Sequence, residues 1–122
     1  MVCATTARAP LFDGAHVADH ALVVAIGSHE PDARELDTGL MRRAQVVVEA
    51  RASALREAGD VLRAGLGATD VTTLAEAAPP DLTRPRVFKS TGMAWEDAVV
   101  AAALVRQMGR SARRSGPAEE PI

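Results

Sequence analysis

Residues Val23 to Asp37, VVAIGSHEPDARELD, constrain the fold more than any other stretch of the chain. Val23-Val24-Ala25-Ile26 is a short, unbroken apolar run, the pattern of a strand buried on both faces of a parallel sheet. Gly27-Ser28 ends that run, and Pro31 forbids regular strand or helix at its position. From Glu35 the segment ELDTGLMRRA predicts a helix, with Glu35 and Asp37 near its positive N-terminal end and Arg42 and Arg43 near its last turn. Strand, polar loop and helix in succession make an α/β unit. In open α/β sheets ligands bind beyond the carboxyl ends of the strands, so Gly27 to Arg34 is the first place to look for chemistry.

The remaining pattern extends this unit. Met1 to Thr6 reads as either a loose terminus or the end of a strand. Asp13-Gly14 marks a turn, and Gln45 to Val48 is a second buried strand. Ser53 is a candidate cap for the helix LREAGDVLRAG, in which Arg56 and Asp60 would pair on the exposed face and Gly59 would cost about 1 kcal/mol against Ala. Asp70 is a candidate cap for a short helix, VTTLAEA, stopped by Pro79-Pro80. Arg86 to Ser90 is the last predicted strand, and Thr91-Gly92 turns into an alanine-rich helix over Met93 to Met108. Residues 110–122 carry no apolar period and are expected to form a disordered tail behind a domain spanning 1–109.

Composition narrows the function classes. With 122 residues, 48% hydrophobic and a net charge of -2, the chain suits one soluble domain and lacks the basic footprint of a nucleic-acid binder. Cys3 stands alone, which fits a reducing, cytoplasmic setting, and no apolar run approaches the ~20 residues of a membrane span. His16 and His20 are four apart but lack the Glu of a metalloprotease helix and any third ligand, so they read as surface histidines. His29, Glu30 and Asp32 cluster in the key loop, and the acids there suit the nearby helix start better than a metal. The Ser90-Thr91-Gly92 turn before a helix reads either as a plain cap or as an anion site. Lys89 is either a charge partner or an edge residue reaching solvent.

Several linked segments carry a resemblance. CATTA at Cys3 to Ala7, AIGS, the Pro31-x-x-Arg34-Glu35-Leu36-Asp37 run, AQVVVEARASALREAGDV and VFKSTGMAWEDAVVAAALV resemble the ornithine cyclodeaminase / mu-crystallin family, in family order up to about Gly109. The resemblance implies a partial Rossmann-type fold, the C-terminal half of an NAD(P)-binding domain with a doubly wound, mainly parallel sheet. It implies that Thr5, Ile26, Gly27 and Ser90 line the dinucleotide site. It also implies a small imino or amino acid as substrate of the intact parent. His29 occupies the position where cyclodeaminases of this family carry an acidic catalytic residue, so the resemblance leans to the ketimine reductase branch, which also lacks the acid.

Family parts are also missing. No Gly-x-Gly-x-x-Gly occurs in the sequence, and that glycine turn is what lets a backbone approach the dinucleotide pyrophosphate. The resemblance therefore implies a chain matching only the C-terminal part of such a protein. Two classes follow: the distal part of a cyclic-imine reductase or of a cyclodeaminase, inactive alone, or a non-catalytic binding module. In either case half a sheet leaves an apolar edge open, and self-association is expected.

Overall fold

The computed structural model describes residues 1–114. The chain divides into two units, Met1–Gly92 and Met93–Ile122. The first is an α/β layer structure built on a five-stranded, fully parallel sheet. Its strands are β1 (Val2–Cys3), β2 (Leu22–Ala25), β3 (Gln45–Val48), β4 (Val71–Thr73) and β5 (Arg86–Lys89). Their spatial order is β1-β2-β5-β3-β4, so the last strand in sequence occupies the middle of the sheet. Its neighbours are in register through Val23, Val87 and Val46, one behind the other across three strands.

One face of the sheet carries the core. Val23, Ala25, Val46, Val48, Val71 and Val87 point there and are buried, while Leu22, Val24, Val47 and Phe88 alternate onto the other face. Three short helices contribute to the buried cluster: α1 (Thr38–Arg43), α2 (Arg51–Glu57) and α3 (Gly59–Arg63), through Leu40, Met41, Ala54 and Val61.

Asp37 starts α1. Its carboxylate accepts from the Leu40 N–H at 2.7 Å and from the Gly14 N–H at 2.5 Å, tying the helix to the preceding loop. Burial alone would raise its pKa, but the Leu40 and Gly14 N–H groups outweigh burial and hold it below 3.8. Asp37→Ala should cost about 1–2 kcal/mol in a urea melt. Because the folded-state pKa is depressed, the Asp37 contribution is fully present above pH 3.8 and disappears as pH falls through the folded value. A wild-type melt that loses no more stability below that pH than the Asp37→Ala melt would contradict this assignment.

The first unit departs from sequence expectation at five places. The helix expected from Glu35 starts at Thr38, because Asp37 caps it and Glu35 is drawn into the interior. Ser53 lies inside α2, whose N-cap is Ala50 with no side-chain bond. The chain breaks at Ala58, so Gly59 opens α3 rather than lying within one long helix. Asp70 accepts from the Gly67 N–H at 2.8 Å and precedes strand β4, not a helix; β-branched Val71, Thr72 and Thr73 pair along β3 instead. Arg56 pairs with its neighbour Glu57, and Asp60 is buried.

The second unit is described through one helix, α4 (Ala94–Arg114). It extends past Gly109, where a tail was expected, and the rest of that expected tail lies outside the described residues. Glu96 caps its start, its carboxylate accepting from the Met93 N–H at 3.1 Å.

Candidate functional site

The carboxyl ends of β1, β2, β5 and β3 lie side by side, and the segments that follow them meet at one edge of the sheet. The Ile26 N–H donates to the Cys3 carbonyl at 2.9 Å and the Ser90 N–H to the Ala25 carbonyl at 3.1 Å, carrying the pairing one residue beyond β2 and β5. A small cleft of about 80 Å³ opens there, lined among others by Thr6, Arg8, Gly27, Ser28, His29 and Glu30. Across its mouth Arg8 pairs with Glu30 at 3.0 Å and with Asp32. These contacts, Glu30 first, hold the guanidinium charged.

Beneath the cleft is a chain of buried charges. Glu35 is fully buried, and its Oε1 accepts from the Thr5 N–H at 2.7 Å and the Thr5 hydroxyl at 2.9 Å. Its Oε2 accepts from the Gly27 N–H at 2.9 Å. One carboxylate thus joins the tips of β1 and β2. The Glu35 and Leu36 N–H groups both donate to Asp60 Oδ1 at 2.8 Å. Asp60 Oδ2 lies 3.2 Å from Lys89 Nζ, with both side chains fully buried. That oxygen makes no well-aligned hydrogen bond, so the contact is chiefly Coulombic. The ammonium also donates to the Ser28 carbonyl, and the Ser28 hydroxyl donates to the Ala33 carbonyl at 2.8 Å. The whole 27–35 loop is therefore held from below.

Gly27 makes this joint possible. A Cβ there would lie 2.2 Å from the Thr5 carbonyl oxygen and 2.5 Å from Glu35 Oε1, so any side chain would part the two strand tips.

The four residues expected at a dinucleotide lie at the carboxyl edge of the sheet. Thr5, Ile26, Gly27 and Ser90 follow three adjacent strands, and the Glu35 carboxylate joins Thr5 to Gly27. Thr5 and Ile26 are exposed, unusual for Ile26 on a strand end. Ser90 is different. Its hydroxyl donates to Glu49 Oε1 at 2.6 Å and accepts from the Gly92 N–H at 3.1 Å, so it is already occupied. His29 is exposed on the cleft wall, while His16 and His20 lie exposed ahead of β2. Cys3 is buried, and burial, then Glu35, pushes its thiol pKa up, away from the reactive thiolate.

Sequence reasoning missed the buried roles of Glu35 and Asp60 and left that of Lys89 open. Of the two readings of Lys89 the charge partner holds. The period-two alternation of β5 carried the signal: Val87 faces the core, so Lys89 must as well. Asp60 had none, since a single Asp in an amphipathic helix reads as surface.

The ornithine cyclodeaminase/mu-crystallin family model matches residues 1–112. The chain belongs to this family. Mouse ketimine reductase mu-crystallin is 42% identical over 107 residues, covering 86% of this chain and 34% of the mouse protein. The Δ1-pyrroline-2-carboxylate/Δ1-piperideine-2-carboxylate reductase of Azospirillum brasilense is 35% identical, over 95% of this chain and 37% of its own length. The chain thus spans about a third of the length of the curated relatives it matches. Among solved structures, a probable ornithine cyclodeaminase from Bordetella pertussis superposes with a TM-score of 0.80 at 38% identity, covering 96% of this chain and 40% of that one. The Δ1-pyrroline-2-carboxylate reductase of Thermococcus litoralis, in complex with NADH and L-proline, gives 0.75 at 27%, over 83% and 35%. The parallel sheet and its covering helices are those of the family's nucleotide-binding fold.

Proposed function

We propose that this chain corresponds to the distal part of an NAD(P)H-dependent reductase of cyclic imino acids, such as Δ1-pyrroline-2-carboxylate, and that alone it turns over nothing. The observation that carries the reading is the joint at Gly27. It fuses the tips of β1 and β2 and presents Thr5 and the 48%-exposed Ile26 beside a cleft whose wall bears His29. An exposed aliphatic face next to a hydroxyl suits one side of a nicotinamide ring. When bound, a reduced nicotinamide supplies the hydride that an imine carbon accepts. Thr5, Ile26 and Gly27 would hold its ring end, and the backbone of Ser90 the side toward β5.

The residues fit that end alone. No glycine-rich turn exists in the sequence for the pyrophosphate. Among the described residues the cations near the cleft are already engaged in part: Lys89 is buried on Asp60, Arg8 is paired with Glu30 and Asp32, and Arg34 donates to the Thr38 hydroxyl at 2.9 Å. Hydride transfer needs the two carbons in near-attack contact, and a misplacement of ~1 Å costs about 10²-fold. Reduction is favoured over ornithine deamination because His29 stands where the deaminating branch is acidic. A reducing, cytoplasmic setting suits the buried free thiol of Cys3. Among the described residues no helix is long and apolar enough to cross a membrane.

The isolated chain should show no saturable NADH or NADPH binding by calorimetry and no oxidation of either with a cyclic imine. A chimera in which it replaces the matching third of the Azospirillum reductase should oxidise NAD(P)H with the imine and release no ammonia from ornithine. Turnover by the isolated chain, abolished by Gly27→Ala, would overturn its inactivity; ammonia release by the chimera would overturn the branch.

A further inference from the structure

The Thr5 hydroxyl follows the tip of β1 with its hydrogen-bonding directions already fixed. It donates to Glu35 Oε1 at 2.9 Å, and a carboxylate can only accept. The same Oε1 takes the Thr5 N–H at 2.7 Å and Oε2 takes the Gly27 N–H at 2.9 Å, so Glu35 is anchored through both oxygens. The Ala7 N–H donates to Thr5 Oγ1 at 3.2 Å and uses one of its two lone pairs. What the hydroxyl retains is a single lone pair and no proton. Ser90, just past β5, follows the same rule: its proton goes to Glu49 Oε1 at 2.6 Å, and the Gly92 N–H takes a lone pair at 3.1 Å. Both hydroxyls at this edge of the sheet therefore act as acceptors, and a further partner must bring its own N–H or O–H.

We infer, on the basis of the reductase reading, that Thr5 is a specificity-determining residue for the dinucleotide: its oxygen accepts from the amine of the nicotinamide carboxamide and does not donate to the carboxamide oxygen. The carboxamide carries the only N–H of a nicotinamide ring. Strands β1 and β2 are neighbours, about 4.8 Å apart, so a ring resting on Ile26 has a ring substituent's reach to Thr5. Ile26 offers an apolar contact that any flat ring satisfies, and Gly27 offers only room. Thr5 adds the polar discrimination. A ring substituent of the same shape with a methyl in place of the amine sets carbon against the lone pair and leaves it unsatisfied. A substituent that keeps the amine is accepted, whatever replaces its oxygen.

Equilibrium binding to the Azospirillum chimera, measured by calorimetry with no substrate present, tests this. The probes are the reduced dinucleotide, its 3-acetylpyridine analogue (methyl for amine) and its thionicotinamide analogue (sulfur for oxygen). The acetylpyridine analogue should bind about three- to tenfold more weakly than the parent, the worth of one neutral hydrogen bond, and the thionicotinamide analogue within about twofold of it. Thr5→Val keeps the shape and removes the hydroxyl. It should weaken the parent by that same factor and leave the acetylpyridine analogue within about twofold, so the discrimination collapses. Thr5→Ser should retain it. An unmutated chimera that binds the acetylpyridine analogue as tightly as the parent, or that penalises the thionicotinamide analogue instead, would overturn the assignment without recourse to any variant. Discrimination that survives Thr5→Val would overturn it as well, and each of these outcomes leaves the reductase reading standing. A chimera that binds none of the three overturns that reading and the role of Thr5 together.

Discussion

Lys89→Met is expected to destabilise the Met1–Gly92 unit by about 3–5 kcal/mol, a large share of the ~5–15 kcal/mol that holds a domain together. Methionine nearly matches the lysine in volume, so packing changes little. What changes is charge: the Asp60 carboxylate stays fully buried with nothing opposite Oδ2, and the Ser28 carbonyl loses its donor. The measurement is a urea melt followed by far-ultraviolet circular dichroism. Lys89→Met/Asp60→Asn should recover part of the loss, because the amide oxygen still accepts from the Glu35 and Leu36 N–H groups and no buried charge is stranded. A single variant as stable as wild type would mean that water reaches the pair.

Gly59→Ala is the second large effect, and its sign opposes helix propensity. Propensity favours Ala over Gly inside a helix by about 1 kcal/mol. Here the added Cβ would fall 1.9 Å from the Ala33 carbonyl oxygen and 2.6 Å from that of Glu30. Both are backbone atoms, so no side chain can swing aside. The 30–33 segment must move, and overpacking of this kind costs about 1–3 kcal/mol. Ser28, bonded to the Ala33 carbonyl, and the cleft wall above it should shift too. The same melt reads the stability, and an alanine variant more stable than wild type would sink the close-approach argument.

Strands β2, β3 and β5 were legible because their signals are local. Val23 to Ala25, Gln45 to Val48 and Arg86 to Lys89 announce themselves as apolar runs bounded by turn residues. The break at Gly27 marks the end of β2. The burial of Glu35 and Asp60 was not legible, because their partners lie far apart in sequence and each has an ordinary surface explanation. Gly59 misled for a related reason: its cost in a helix is local, while its purpose, contact with the Ala33 backbone, is tertiary. Strand β4 was read as a helix because Leu74, Ala75 and Glu76 continue helically after it, as a single 3-10 turn with its own capping box. There Arg51, above all, and the Thr73 N–H pull Glu76 down to about 2.

The position of β5 governs when this sheet can exist at all. Leu22 to Ala25 on one side and Gln45 to Val48 on the other touch only through Arg86 to Lys89, which the ribosome makes last among the strands. Until that keystone arrives, β1 with β2 and β3 with β4 are two separate ribbons, each too narrow to persist in water. The nascent chain therefore waits with Val23, Val46 and Val48 uncovered, and closure joins segments more than sixty residues apart, a slow, high-contact-order step. A chain that stops short of Arg86 would lose far more than its missing residues, since its remaining strands would have no common neighbour.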